Sequence, residues 1–174
     1  MNTPITRPAP TEYPTYYGAY IAKVIGDDLL PQLMAGKQDL IAYLSQIPAN
    51  KHDYKYLPDK WTIKEVLSHL IDAERIFAYR ALRIARNDTT PLAGFDENEY
   101  VPESNAVNRT MDDLLEEYLA VRDSSIALFR SFSPEMAFRS GIANQQPITV
   151  RAIGYIIAGH ELHHLQVIGE RYLL

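Results

Sequence analysis

The chain has no cysteine in its 174 residues. A disulfide framework, a thiolate nucleophile and any sulfur ligand are therefore excluded, and a metal site would have to use His, Asp, Glu or backbone oxygen. Long apolar runs are missing too. No stretch reaches the 18 or so residues of a membrane span, and "MNTPITRPAPTEYPTYYGAY" lacks the basic start and apolar core of a secretory signal. A cytoplasmic protein with no membrane partner is the expectation. Basic clusters are also absent, and the net charge is −5, which disfavours nucleic acid as a partner. Apolar residues make up 47% of the chain. That composition and length suit one domain, 1–174, with a real core.

Strand-like alternation is scarce as well, and helical periodicity takes its place. Residues 1–18 carry Pro4, Pro8, Pro10 and Pro14 among tyrosines, which predicts an extended arm lying on the body. A short helix is expected at Tyr17–Ile25, ending at Gly26. Four long helices follow, at about 28–46, 62–86, 110–132 and 149–172. The second has the clearest start. Thr62 with Glu65 forms a capping box, and Trp61 with Val66 forms a hydrophobic staple. Thr110 with Asp113 opens the third helix, and Thr149, flanked by Ile148 and Ile153, opens the fourth. "NDTTPLAGFDENEYVPESNAVN" and "RSGIANQQP" read as connecting loops. The predicted fold class is all-α, a four-helix bundle with an N-terminal arm.

The fourth helix contains "GHELHHLQ", Gly159 to Gln166. Its His160-Glu161-Leu162-His163-His164 fits the zinc-protease pattern H-E-x-x-H. At about 100° per residue, Ile153, Ile156, His164 and Val167 all fall within about 40° of His160. His160 and His164 thus lie in the middle of the core-facing stripe. His163 sits to one side and Glu161 to the other. Two imidazoles one turn apart on a buried face are either core histidines with hydrogen-bond partners or two ligands of one metal.

A protease would draw its third ligand from downstream, yet only Leu165 to Leu174 remain, with no histidine. Val167 stands where the extended pattern needs glycine. The third ligand must come from upstream. His52 lies in a polar loop and reads as solvated. His69 lies on the second helix at the edge of its stripe of Val66, Leu70, Ala73, Phe77 and Ile84. Three histidines leave positions open for water or substrate, as in catalytic sites. Glu161 is a candidate general base, or else a carboxylate capping a surface or meeting a partner. Asp72, one turn after His69, either orients a ligand imidazole or is solvated.

These residues carry a resemblance. "KWTIKEVLSHLIDAERIFAYRALRIARNDTTPLAGFDENEY", "VRAIGYIIAGHELHHLQVIGERYL" and the N-terminal "RPAPTEYPTYYGAYIAKVIGDD" resemble the DinB-like (DinB/YfiT-like) superfamily of inferred metalloenzymes. The most specific element is the pairing of "SHL" with "GHELHH". The resemblance implies a four-helix bundle of unusual handedness, a long connection between its second and third helices, and a metal held by His69, His160 and His164. Zinc and nickel are the metals implied, and a homodimer is common in the family. Characterised relatives use low-molecular-weight thiols such as bacillithiol and mycothiol, in transferases and an isomerase. In "GFDENEY", Asp96 and Glu97 either approach the metal or cap a helix. Tyr16, Tyr17 and Tyr155 either line a pocket or belong to the core.

The leading expectation is a metal-dependent hydrolase or thiol-dependent transferase acting on a small molecule. The alternative is a non-catalytic bundle whose metal or histidine cluster supports fold or dimerisation.

Overall fold

The computed structural model describes residues 3–173; Met1 and Asn2 of the arm lie outside the described residues. The arm makes two single 3₁₀ turns, Pro10–Glu12 and Thr15–Tyr17. It is bound to the body by specific partners. Ile5 is buried, its N–H donates to the Asp28 carboxylate at 3.3 Å, and its carbonyl accepts the Leu29 N–H at 3.0 Å. Glu12 accepts from Thr149 and Arg151 at the start of the last helix.

The helix expected at Tyr17–Ile25 is shorter, α1 at Gly18–Ile21. The Arg7 guanidinium explains the early stop, because it takes the carbonyls of Ile21, Val24 and Gly26 as its own acceptors. Helix α2 spans Leu29–Leu44. Asp28 precedes it without capping it, since its carboxylate is committed to Ile5.

Helix α3 spans Ile63–Ala85 and starts at the full capping box. The Glu65 N–H donates to Thr62 Oγ1 at 3.1 Å and the Thr62 N–H to Glu65 Oε2 at 2.7 Å. Within the long connection, "ENEYVPE" forms helix α4, Glu97–Glu103. Asp96 caps it, accepting the Asn98 N–H at 2.9 Å. Helices α5, Met111–Arg130, and α6, Pro134–Phe138, start at the side chains of Thr110 and Ser133.

The segment read as a loop in "RSGIANQQP" contains a hairpin, strands β1 Ser140–Ala143 and β2 Gln146–Thr149, with Ser140 opposite Thr149. Asn144 and Gln145 have φ of 48° and 63°. Two consecutive positive φ values give the twist that a two-residue hairpin needs. Glutamine is an unusual residue for that conformation, and four-residue strands are too short to show alternation, so the pattern was illegible in sequence. Leu92 bridges to Ala143 and ties the long connection to the hairpin. Helix α7 spans Val150–Arg171. Among the described residues no helix is long and apolar enough to cross a membrane.

α2 and α3 each pack against both α5 and α7. The core between them is two apolar clusters, not one. The first holds Leu33, Ala73, Phe77, Ile126, Phe129 and Ile153, and the second Leu40, Leu67, Ile71, Leu114, Tyr118 and Ile168. A polar layer divides them, with Glu74 from α3, Arg122 from α5 and His160 and Glu161 from α7, all buried. Gly36 on α2 leaves the space that the Glu161 carboxylate fills.

Gly159 serves the site more directly. A methyl group there would run into the Tyr20 backbone carbonyl of α1, and neither helix backbone can yield cheaply. Gly159→Ala is expected to lower stability by about 1–3 kcal/mol through overpacking, measured as a lower midpoint in urea with an unchanged slope.

Candidate metal centre

His69 is held on α3 by the Thr62 cap and the burial of Leu67, Leu70 and Ile71 around it. His160 and His164 face it from α7, one turn apart. The Nε2 atoms converge, His69 to His160 at 3.1 Å and His160 to His164 at 3.0 Å. One nitrogen from each of the three rings lies within 4.8 Å of the others. Two ligands at the usual zinc–nitrogen distance and tetrahedral angle stand about 3.3 Å apart, so the His69–His160 and His160–His164 pairs are each within a few tenths of an ångström of the spacing in a chelate.

The donor set tests the fit further. His160 Nε2 faces two other Nε2 atoms, and a neutral imidazole carries one proton to share among such contacts. Three converging nitrogens cannot all be satisfied by one another, whereas a cation takes all three lone pairs. Desolvation holds His69 at about 4 and His164 at about 3, and it pushes His160 well below its ordinary value, with His164 and His69 adding to the effect. At neutral pH all three rings are uncharged, the state that ligates metal.

The triad forms part of the wall of a cleft of about 350 Å³, with Trp61, Phe77, Tyr17 and Tyr20 around it. The Tyr20 ring centroid is 5.2 Å from that of His160, and Trp61 is 4.9 Å from His69. Trp61 is the only tryptophan in the chain. Its fluorescence is therefore expected to change saturably as zinc or nickel is added, and the change is expected to vanish in His69→Ala.

Behind His160 lies the polar layer. Arg122, 1% exposed, donates from Nε to Glu74 Oε1 at 2.9 Å and from Nη2 to Glu161 Oε2 at 2.7 Å. The Tyr118 hydroxyl also donates to Glu161 Oε2, at 2.5 Å. Burial opposes the Arg122 charge, but Glu74 and Glu161 hold its pKa well above the usual value. Burial also raises Glu161, against the pull of Arg122 and Tyr118.

Glu161 therefore meets neither solvent nor a partner. It is 2% exposed and its oxygens are engaged by Arg122 and Tyr118, which corrects both the surface and the interface expectation. Asp72 is half-buried and lies 3.7 Å from Arg75, and among the described residues no imidazole is its partner. His52 lies away from the triad, its Nε2 3.1 Å from the Ile47 carbonyl. His163 lies at the flank, its ring tilted against that of Tyr20 with centroids 5.1 Å apart. Tyr16 and Tyr17 line the cleft, but Tyr155 does not; its hydroxyl is 3.4 Å from the carbonyls of Ile5 and Gly26.

Sequence reasoning missed Arg122, Glu74 and the wall residue Arg80. The signal for Arg122 was present: it sits one turn after Tyr118 on the α5 stripe, where a charge demands a partner.

Residues 32–168 match the DinB superfamily. The chain belongs to this superfamily. Among solved structures it is similar to YfiT from Bacillus subtilis, described as a probable metal-dependent hydrolase with an unusual four-helix bundle topology. The identity is 17%, the TM-score 0.71, and the alignment covers 94% of this chain and 89% of that one. That likeness supports the DinB bundle fold. Comparison with curated protein sequences gives no match.

Proposed function

We propose that this DinB-superfamily chain is a metal-dependent hydrolase acting on a small molecule, with His69, His160 and His164 holding a divalent cation. The observation that carries the reading is the convergence of three neutral Nε2 atoms beside an open cleft. Among the described residues no carboxylate joins the three imidazoles as a further ligand, unlike a closed structural site. Three imidazoles suit zinc or nickel. Such a cation supplies Lewis acidity toward a carbonyl or phosphoryl oxygen and makes water a better nucleophile. The protein's part is to present the three rings uncharged and to exclude bulk water with the Tyr17, Tyr20 and Phe77 rings. Burial raises the Tyr17 and Tyr20 pKa values, so both phenols stay protonated and act as donors, not bases. The description of YfiT as a probable metal-dependent hydrolase supports the same reading at the level of reaction class.

The test is zinc- or nickel-loaded protein against a panel of esters, amides and phosphoesters. Chelator-sensitive turnover that His160→Ala abolishes is expected. Metal that raises Tm without turnover of any of these substrates would favour the non-catalytic bundle. Turnover only when a small thiol and an electrophile are supplied together would favour the transferase, with the thiol coming from outside this cysteine-free chain.

A further inference from the structure

The cleft has a charged far end that the metal chemistry does not use. Arg80 is 4% exposed and borders the same cleft as the histidines. It lies eleven residues after His69 on α3, which is three helical turns and about 16 Å of rise on nearly the same face. Ala73 and Phe77 lie between them along that face. The cleft thus has a histidine end, an apolar floor and a cationic end.

The guanidinium is held in place by neutral groups. Nη2 donates to the Ala93 carbonyl at 2.7 Å, and Cζ lies 5.7 Å and 5.8 Å from the Phe77 and Phe95 ring centroids. The Tyr17 phenol stands beside it. Among the described residues no carboxylate is within ion-pair distance of Arg80. Arg122, the other buried guanidinium among the described residues, has two, and Arg151, 11% exposed, has one. Exposed Glu97 also lines the cleft, but among the described residues no ion pair joins it to Arg80. A buried cation without a counter-charge is costly, and a planar fork of N–H donors matches a carboxylate. Among the described residues no second arginine, lysine or long-helix N-terminus joins Arg80 in the cleft wall, so a singly charged carboxylate fits better than a phosphate.

We propose that the cleft receives an elongated small molecule with an apolar middle and a terminal carboxylate, the carboxylate held by Arg80 and the other end delivered to the three histidines. This deepens the hydrolase reading and rests on it for the reacting end alone. Arg80 is a specificity residue in this scheme.

The probes are phenylbutyrate, its primary amide and phenyl phosphate, titrated calorimetrically into EDTA-treated and metal-loaded protein. Phenylbutyrate is expected to bind both forms at least about tenfold more tightly than the amide, a difference of about 1.4 kcal/mol. Arg80→Met is expected to erase that preference and Arg80→Lys to restore part of it, with metal content unchanged. Equal binding of acid and amide by the wild type, a preference retained in Arg80→Met, or preferential binding of phenyl phosphate would overturn the proposal. The acid–amide comparison needs no variant. Loss of metal uptake while EDTA-treated protein keeps the Arg80-dependent preference would sink the metal reading and leave this one standing.

Discussion

Replacing Arg122 with methionine is expected to destabilise the fold by about 3–5 kcal/mol, the cost of breaking a buried ion pair from one side. For a chain of this size the fall in Tm is on the order of 10 °C. The reason is an imbalance in what remains. Arg122 is the cationic partner shared by Glu74 and Glu161, and both carboxylates are buried between two apolar clusters. Without the guanidinium, at least one carboxylate must take up a proton or draw in water. Arg122→Lys keeps the charge but loses the fork that serves both partners, and is expected to fall between the two. Replacing Arg122, Glu74 and Glu161 together with apolar residues is expected to recover most of the loss, since no charge is then stranded. Thermal and urea denaturation of the set measure this. A fully stable Arg122→Met would contradict the ionic account of the layer.

His160→Ala is expected to weaken zinc or nickel binding by more than about 100-fold, exceeding the 10–100-fold typical of groups that only orient a ligand. His160 stands between the other two donors, so its loss leaves a split pair. Asp72→Ala is expected to leave metal affinity unchanged, because Asp72 pairs with Arg75. Protons compete with the metal only where a ring charges. With His69 held at about 4 and His164 at about 3 by desolvation, affinity is expected to stay level from pH 7 to about 5 and to drop below that. Solvated histidines would instead begin to lose metal near pH 6.5. The same shifts set the pH dependence of the metal-free fold. Below about 6.5 the unfolded chain binds protons that the folded rings refuse. Stability is therefore full above that pH and declines as pH falls toward 4 and 3. Isothermal titration across pH and denaturation of EDTA-treated protein check the two statements.

Local signals made much of this legible. Thr62 and Glu65 announced the start of α3 because a capping box is a contact between near neighbours. His160 and His164 announced themselves because helical spacing turns both into the apolar stripe. His69 was reachable by elimination among five histidines. What failed to show depended on distant partners. Arg122 meets Glu74 and Glu161 from 48 and 39 positions away, and no local pattern encodes that meeting. The surface and interface expectation for Glu161 failed for the same reason: its helical angle put it to one side of the metal axis, but that side faces the polar layer and not the surface. Arg80 reads as one more charge on a long helix until α3 and the 92–95 connection are brought together. The hairpin was hidden by its brevity and by a glutamine at positive φ.

The central claim is that three histidines form one metal site. Its most direct test is the metal content of the purified chain after zinc or nickel supplementation and exhaustive dialysis, measured by mass spectrometry beside His69→Ala and His160→Ala. The account predicts roughly one ion per wild-type chain and almost none in either variant, as expected of a site built from a few fixed ligands. A wild-type chain that retains no stoichiometric metal, or variants that retain as much as wild type, would contradict it.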